Sequence, residues 1–196
     1  MHTENLARVI SAVLNAPVVC FYVLIIHYTL APETINALSV LGVTLFLFVI
    51  PWFPVLFYWI ITKESPSRLE GKRRTPFVII GLLSYISGAI YFYYIFGNQN
   101  PYSFFVAIHV MYIIFSLLLV IGNLRSKPSV HVGGYVAPII LVSLFTAPIF
   151  LVLLIITPLI AWSRIKLGIH THTQLVLGFL LGLISSLFAY VFVYCL

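Results

Sequence analysis

Apolar runs of about 20 residues, the length of one membrane crossing, recur along the whole chain, and the polar breaks between them are short. In lipid, a helix satisfies its own backbone groups, whereas irregular chain leaves them unpaired. The repeated runs therefore predict an all-α, polytopic transmembrane helical bundle of six to seven spans. Composition agrees, with 62% hydrophobic residues and only 7% charged ones. With such short breaks, residues 1–196 are expected to form a single integral-membrane domain.

The first span is expected over 6–30, ending at Ala31-Pro32-Glu33. Its apolar run is too long for a signal-peptide core, and no small-x-small site follows it, so it is read as a retained span. The second, 35–61, carries Pro51 and Pro54, which should kink it. The third and fourth cover 76–96 and 102–122, with a turn at 97–101. The stretch 130–162 is too long for one crossing, and Thr146-Ala147-Pro148 is its natural break, giving helices near 129–146 and 148–165. The last span covers 171–196. In it Gly178 and Gly182, one helical turn apart, either permit close helix contact or are ordinary small residues. Cys20 and Cys195 lie inside apolar runs, so neither a disulfide nor a cysteine metal site is expected.

Breaking the chain at 146–148 puts all ten Lys and Arg on one face and leaves the opposite loops without any. Treating 130–162 as one span would move Arg164 and Lys166 to the other side. By the positive-inside rule the basic face is cytoplasmic. Arg8, Lys63 and Arg125, which have no evident site duty, weigh in the same direction.

Two polar islands stand out against this background: Lys127-Pro-Ser-Val-His131, and Ser163 to Gln174 with Arg164, His170 and His172. Together they hold three of the six histidines. Ser129 and Val130 open a helix after Pro128, and the free N–H groups of a helix start attract an anion. Lys127 and the planar fork of Arg164 suit phosphate oxygens. Two histidines near one phosphate can divide the labour, one attacking phosphorus and the other protonating the departing oxygen. The chain has no Asp, and its Glu residues stand only at 4, 33, 64 and 70. Clustered carboxylates for Mg²⁺ are therefore missing, and cations and helix ends must hold any phosphate. His170 and His172 with His131 could suggest a metal set, but alternate residues at a helix start diverge. His27 and His109 are expected to be neutral histidines bonding across helices. Lys72-Arg73-Arg74 serves either topology, anionic lipid contact or the substrate.

These residues resemble the phosphatidic-acid phosphatase type 2 superfamily of membrane lipid phosphatases. Its pattern is Lys-x6-Arg-Pro, Pro-Ser-Gly-His, then Ser-Arg-x5-His-x3-Asp. Pro128-Ser129-Val130-His131 matches the second motif with Val for Gly. Ser163-Arg164-x5-His170 matches the third, with Gln174 in place of Asp. Arg68-x6-Thr75-Pro76 is a degraded first motif, with Arg74 adjacent. The resemblance covers about 68–182. It implies His170 as nucleophile and His131 as general acid, with Arg68, Arg74, Lys127, Ser129 and Arg164 holding the phosphate and Gln174 orienting His170. Gln174 cannot raise imidazole basicity as a carboxylate does, so slower attack is expected. A Gln here is also similar to the polyprenyl (dolichyl-type) diphosphatase branch.

The expectation is metal-independent hydrolysis of a lipid phosphate or isoprenoid diphosphate through a phosphohistidine, with the site at one membrane face. No cofactor and no nucleic-acid partner are expected. The alternatives are a non-catalytic lipid-phosphate binding or transport protein with an eroded site, and phosphoryl transfer to another acceptor.

Overall fold

A computed structural model of the chain describes residues 2–64, 69, 71–97 and 101–195. Among these residues the fold is an all-α bundle. Its helices are α1 (His2–Val13), α2 (Ala16–Leu30), α3 (Ala37–Val43), α4 (Ile50–Thr62), α5 (Gly71–Phe96), α6 (Ser103–Asn123), α7 (Val130–Phe145), α8 (Thr157–Lys166) and α9 (His172–Tyr194). Among the described residues five helices are long and apolar enough to cross a membrane, and α1 with α2 make a sixth if that bent pair is one span. The shorter apolar α7 completes the bundle.

The expected single helix over 6–30 is broken. Asn15 turns the chain, its side chain accepting from the Ala16 N–H at 2.9 Å, and Pro17 follows in the first turn of α2. Asn is a strong helix cap and Pro suits a first turn, so α2 restarts at 50° to α1. The helix is disturbed just before Pro51. Thr44–Val49 widens into a π-helical segment between α3 and α4, so 37–62 stays one span. Pro51 has no N–H to give back to the preceding turn, and the Phe46 carbonyl accepts instead from the Ser84 hydroxyl at 2.8 Å.

The break at 146–148 is where the sequence places it: α7 ends at Phe145, and a 3₁₀ segment, Pro148–Ile156, leads into α8. Nine residues rising about 2.0 Å each and ten rising about 1.5 Å each reach about 33 Å, enough for a hydrocarbon core of ~30 Å. The tighter winding lets 19 residues cross. With three residues per turn, Ile149, Val152 and Ile155 stand in one exposed ridge.

Helix α7 is the centre, buried at every position from Val132 to Ser143. Its most extensive contact is with α9, and that contact depends on glycine. A Cβ at Gly182 would lie 2.7 Å from the Gly133 carbonyl, and one at Gly178 would collide with the Ser129 carbonyl. Backbones this close gain dispersion and interhelical hydrogen bonds, which hold helices together in lipid; Ser186 donates to the Ala137 carbonyl at 2.7 Å. The 16 residues of α7 rise only about 24 Å, so this helix is shorter than the bilayer core and surrounded by protein.

The two ends of the bundle differ in character. At one, Arg74 of α5 meets Asn123 of α6 and the Pro128 carbonyl, and the Ser129 N–H donates to the Gln174 carbonyl at 2.9 Å. Lys72, Arg74, Arg125, Lys127 and Arg164 gather there. At the other, Tyr102 donates to the Glu33 carbonyl at 3.0 Å, and Asn36 donates to Tyr102. Cys20 is buried and Cys195 exposed, both as free thiols.

Candidate functional site

The spacing of the second island follows from how α8 ends. Gly168 has φ 65, a conformation other residues adopt only at a cost. Its N–H donates to the Ile165 carbonyl and the Ile169 N–H reaches back to the Arg164 carbonyl, at 2.9 and 3.1 Å. This paired closure satisfies the last carbonyls of a helix and reverses the chain, which returns His170 towards Arg164. Helix α9 then starts behind Thr171, whose hydroxyl accepts from the Gln174 N–H.

Gln174 closes that cap reciprocally and also holds the histidine. Its Oε1 accepts from the Thr171 N–H at 3.1 Å and lies 3.2 Å from His170 Nδ1. The Thr171 amide can only donate, so the Gln174 atom between them is oxygen. His170 Nδ1 must therefore carry the proton, which leaves the Nε2 lone pair free. Burial first, then Arg164, lowers the His170 pKa to about 4, so the ring is neutral at physiological pH.

The first island meets this turn. Ser129 caps α7, its Oγ accepting from the Val132 N–H at 3.4 Å, and it is fully buried. Its own N–H goes to Gln174, and the Val130 and His131 amides in the first turn of α7 have no partner among the described residues.

His131, His170 and Arg74 line one cavity of about 260 Å³. Arg74, 6% exposed, is held by Asn123 and the Pro128 carbonyl. Arg164 is 2% exposed; its Nη1 donates to Ser11 at 2.5 Å, while Nε and Nη2 have no partner among the described residues. Lys127 lies beside the cavity in an open depression with Asn123 and Gln174. Its pKa is lowered by burial and then by repulsion from Arg74 and Arg164. Among the described residues no carboxylate hydrogen-bonds to Arg74 or Arg164, and none enters the electrostatics of Lys127 or His170. Buried cations without counter-charge are costly, and a bound anion would relieve that cost.

Of the residues picked out in the sequence, the structure brings His131, His170 and Arg74 to one wall, with Arg164, Ser129, Lys127 and Gln174 around them. Arg68 lies outside the described residues. In the degraded first motif it is Arg74, one residue before Thr75, that reaches the cavity. Among the described residues no three His, Cys, Asp or Glu side chains converge as a metal set. Sequence reasoning missed Ser11 and Asn123, which hold the two arginines, and Asn15 on the cavity wall. Each is a polar residue inside or ending an apolar run, a position that asks for a hydrogen-bond partner.

Below the basic mouth the cavity is apolar, lined by Leu47, Val55, Phe77, Val78, Phe115 and Leu119 among others. Neither a protein-family model, nor a curated protein, nor a solved structure matches the chain.

Proposed function

We propose that this chain is a metal-independent membrane phosphatase acting on a lipid phosphate or isoprenoid diphosphate through a phosphohistidine. One observation carries the reading: the buried Arg74 guanidinium and two histidines line one apolar cavity, and a second buried guanidinium close to both histidines, Arg164, has two N–H donors without a partner among the described residues. That combination suits a ligand with an anionic head and a hydrocarbon tail.

In the proposed first step the His170 Nε2 lone pair forms a bond to phosphorus. The bond from phosphorus to the lipid or bridging oxygen breaks, and protonated His131 delivers its proton to that oxygen. Arg164, Arg74, Lys127 and the open amides of α7 hold the equatorial oxygens as charge redistributes. In the second step water attacks the phosphohistidine and gives a proton to His131. The phosphorus–nitrogen bond breaks and phosphate leaves. Water reaches the site from the basic face, which the positive-inside rule assigns to the cytoplasm of a cell membrane. The decisive test is phosphate release in detergent, with EDTA present, from prenyl diphosphates and phosphatidic acid. His170→Ala should abolish it, and undiminished release would refute the assignment.

Gln174 favours a second reading, a lipid-phosphate binder without turnover, because its amide gives His170 no negative charge. Vanadate separates the two: an enzyme is inhibited and traps acid-labile phosphate on histidine, whereas a binder takes up the lipid and releases nothing.

A further inference from the structure

We infer that the cavity is a blind tunnel of fixed depth, closed by the stacked pair Tyr85 and Tyr112, so that the site takes single-chain lipid phosphates and discriminates against longer tails. The inference rests on the phosphatase reading for its head-group chemistry, but the tunnel stands on its own geometry. Arg74 and Asn123 mark the mouth by their hydrogen bond. Tyr85 lies eleven residues along α5 from Arg74, and Tyr112 lies eleven residues along α6 from Asn123. At 1.5 Å per residue both tyrosines are about 16 Å from the mouth. The two depths agree, and the rings stack with centroids 5.0 Å apart.

Beyond the pair the bundle is solid. Phe92, Phe105, Ile108 and His109 are fully buried, and Phe92 stacks on Phe105 at 4.9 Å. A Cβ at Gly88 would collide with the His109 ring, so there is no passage past α5. On the side walls Cys20, Leu47, Gly81 and Ser116 are buried, whereas Trp52, Val55 and Phe77 nearer the mouth, and Tyr85 itself, are at least partly exposed. Phe21 and Phe48 meet edge to face at 6.3 Å and close α2 against the π segment.

Width follows from volume. A cavity of about 260 Å³ is just below the range of about 300–1,000 Å³ for sites that enclose one drug-sized ligand, so it has room for one chain and not two. Gly81 lies on the same wall, seven residues from Arg74, at a depth of about 10 Å. The three atoms nearest a Cβ there all belong to the Tyr85 side chain, at 3.4 Å or more, so a larger side chain at 81 would grow into the tunnel.

The test uses the purified full chain with geranyl, farnesyl, geranylgeranyl and longer polyprenyl diphosphates, and with dioleoyl phosphatidic acid. It reads both phosphate release and the shift in unfolding temperature on binding. Release per mole should drop at least about tenfold between farnesyl and geranylgeranyl, with the two-chain lipid poorer still. Gly81→Leu should lower the farnesyl-to-geranyl ratio about tenfold. Tyr85→Ala should raise the geranylgeranyl-to-farnesyl ratio. Equal rates across all chain lengths, with Gly81→Leu leaving the ratio unmoved, would overturn the tunnel and leave the phosphatase standing. Length-dependent stabilisation without phosphate release would do the reverse.

Discussion

The Arg74 guanidinium closes on Asn123 Oδ1 with two N–H groups, Nε at 3.0 Å and Nη2 at 2.6 Å. The acceptor is a neutral amide, so the arginine is oriented without being neutralised. Asn123→Asp should keep the orientation and cancel the charge. The unfolding temperature is expected to hold, while vanadate inhibition weakens by about tenfold or more, since a misplaced charge costs several kcal/mol. Unchanged vanadate affinity would remove Arg74 from the anion site.

Arg164 spends Nη1 on Ser11 and leaves Nε and Nη2 without a partner among the described residues. A lysine cannot reproduce a planar fork. Arg164→Lys should therefore lower kcat by about a hundredfold, as losing one charge-stabilising donor does. Ser11→Ala, which frees only Nη1, should cost less than a tenth of that loss.

The depressed His170 pKa sets the acid limb. In the proposed mechanism the imidazole attacks only when neutral, and burial with Arg164 nearby brings its pKa to about 4. On the acid side of the kcat/KM profile of the free protein, loss of the neutral nucleophile should therefore set in only near pH 4 and not near 6.5. The same group affects stability in the opposite sense to a salt-bridged histidine. Between about pH 4 and 6.5 the unfolded chain binds the proton and the folded chain does not, so stability falls as pH is lowered through that window. His170→Gln should abolish phosphate release and flatten the stability curve in that window.

Gln174→Glu tests the missing carboxylate. The side chain has the same length, so it can still accept from Thr171 N–H, and a negative charge is welcome at a helix start. It would also stabilise protonated His170, so the acid limb should move above pH 4 and turnover near neutrality should rise. A profile that does not move would mean that the 3.2 Å contact does not tune the ring.

Gly178→Ala puts a methyl group against the Ser129 carbonyl. Overpacking at backbone cannot relax by a rotamer change, so a loss of about 1–3 kcal/mol is expected in unfolding measurements. Because Ser129 also donates to Gln174, phosphate release should fall with stability.

The sequence carried what local signals encode. Thr146-Ala147-Pro148 gave the break before the 3₁₀ segment, and two short islands gave the residues that meet at the mouth. It did not carry how polar residues pair across helices. Ser11 and Asn123 are each unremarkable in their own runs and acquire meaning only opposite Arg164 and Arg74. The restart at Asn15 was readable from a cap followed by proline, but the uninterrupted apolar run around it masked the signal. Pro51 marked a disturbance in the right place, but that the widened turn before it meets Ser84 of another helix could not be read from its own run. The tyrosine floor of the tunnel depends on two registers eleven residues deep on different helices, which no single run can reveal.

The 3₁₀ segment fixes more than the length of its crossing. If Pro148–Ile156 rewound as an ordinary α-helix, its nine residues would shorten by about 4.5 Å. Arg164 rides on the helix directly above, so its guanidinium would be drawn down from Ser11 and away from the start of α7. The altitude of this arginine is thus set by the winding of an aliphatic spring pressed on one side by lipid.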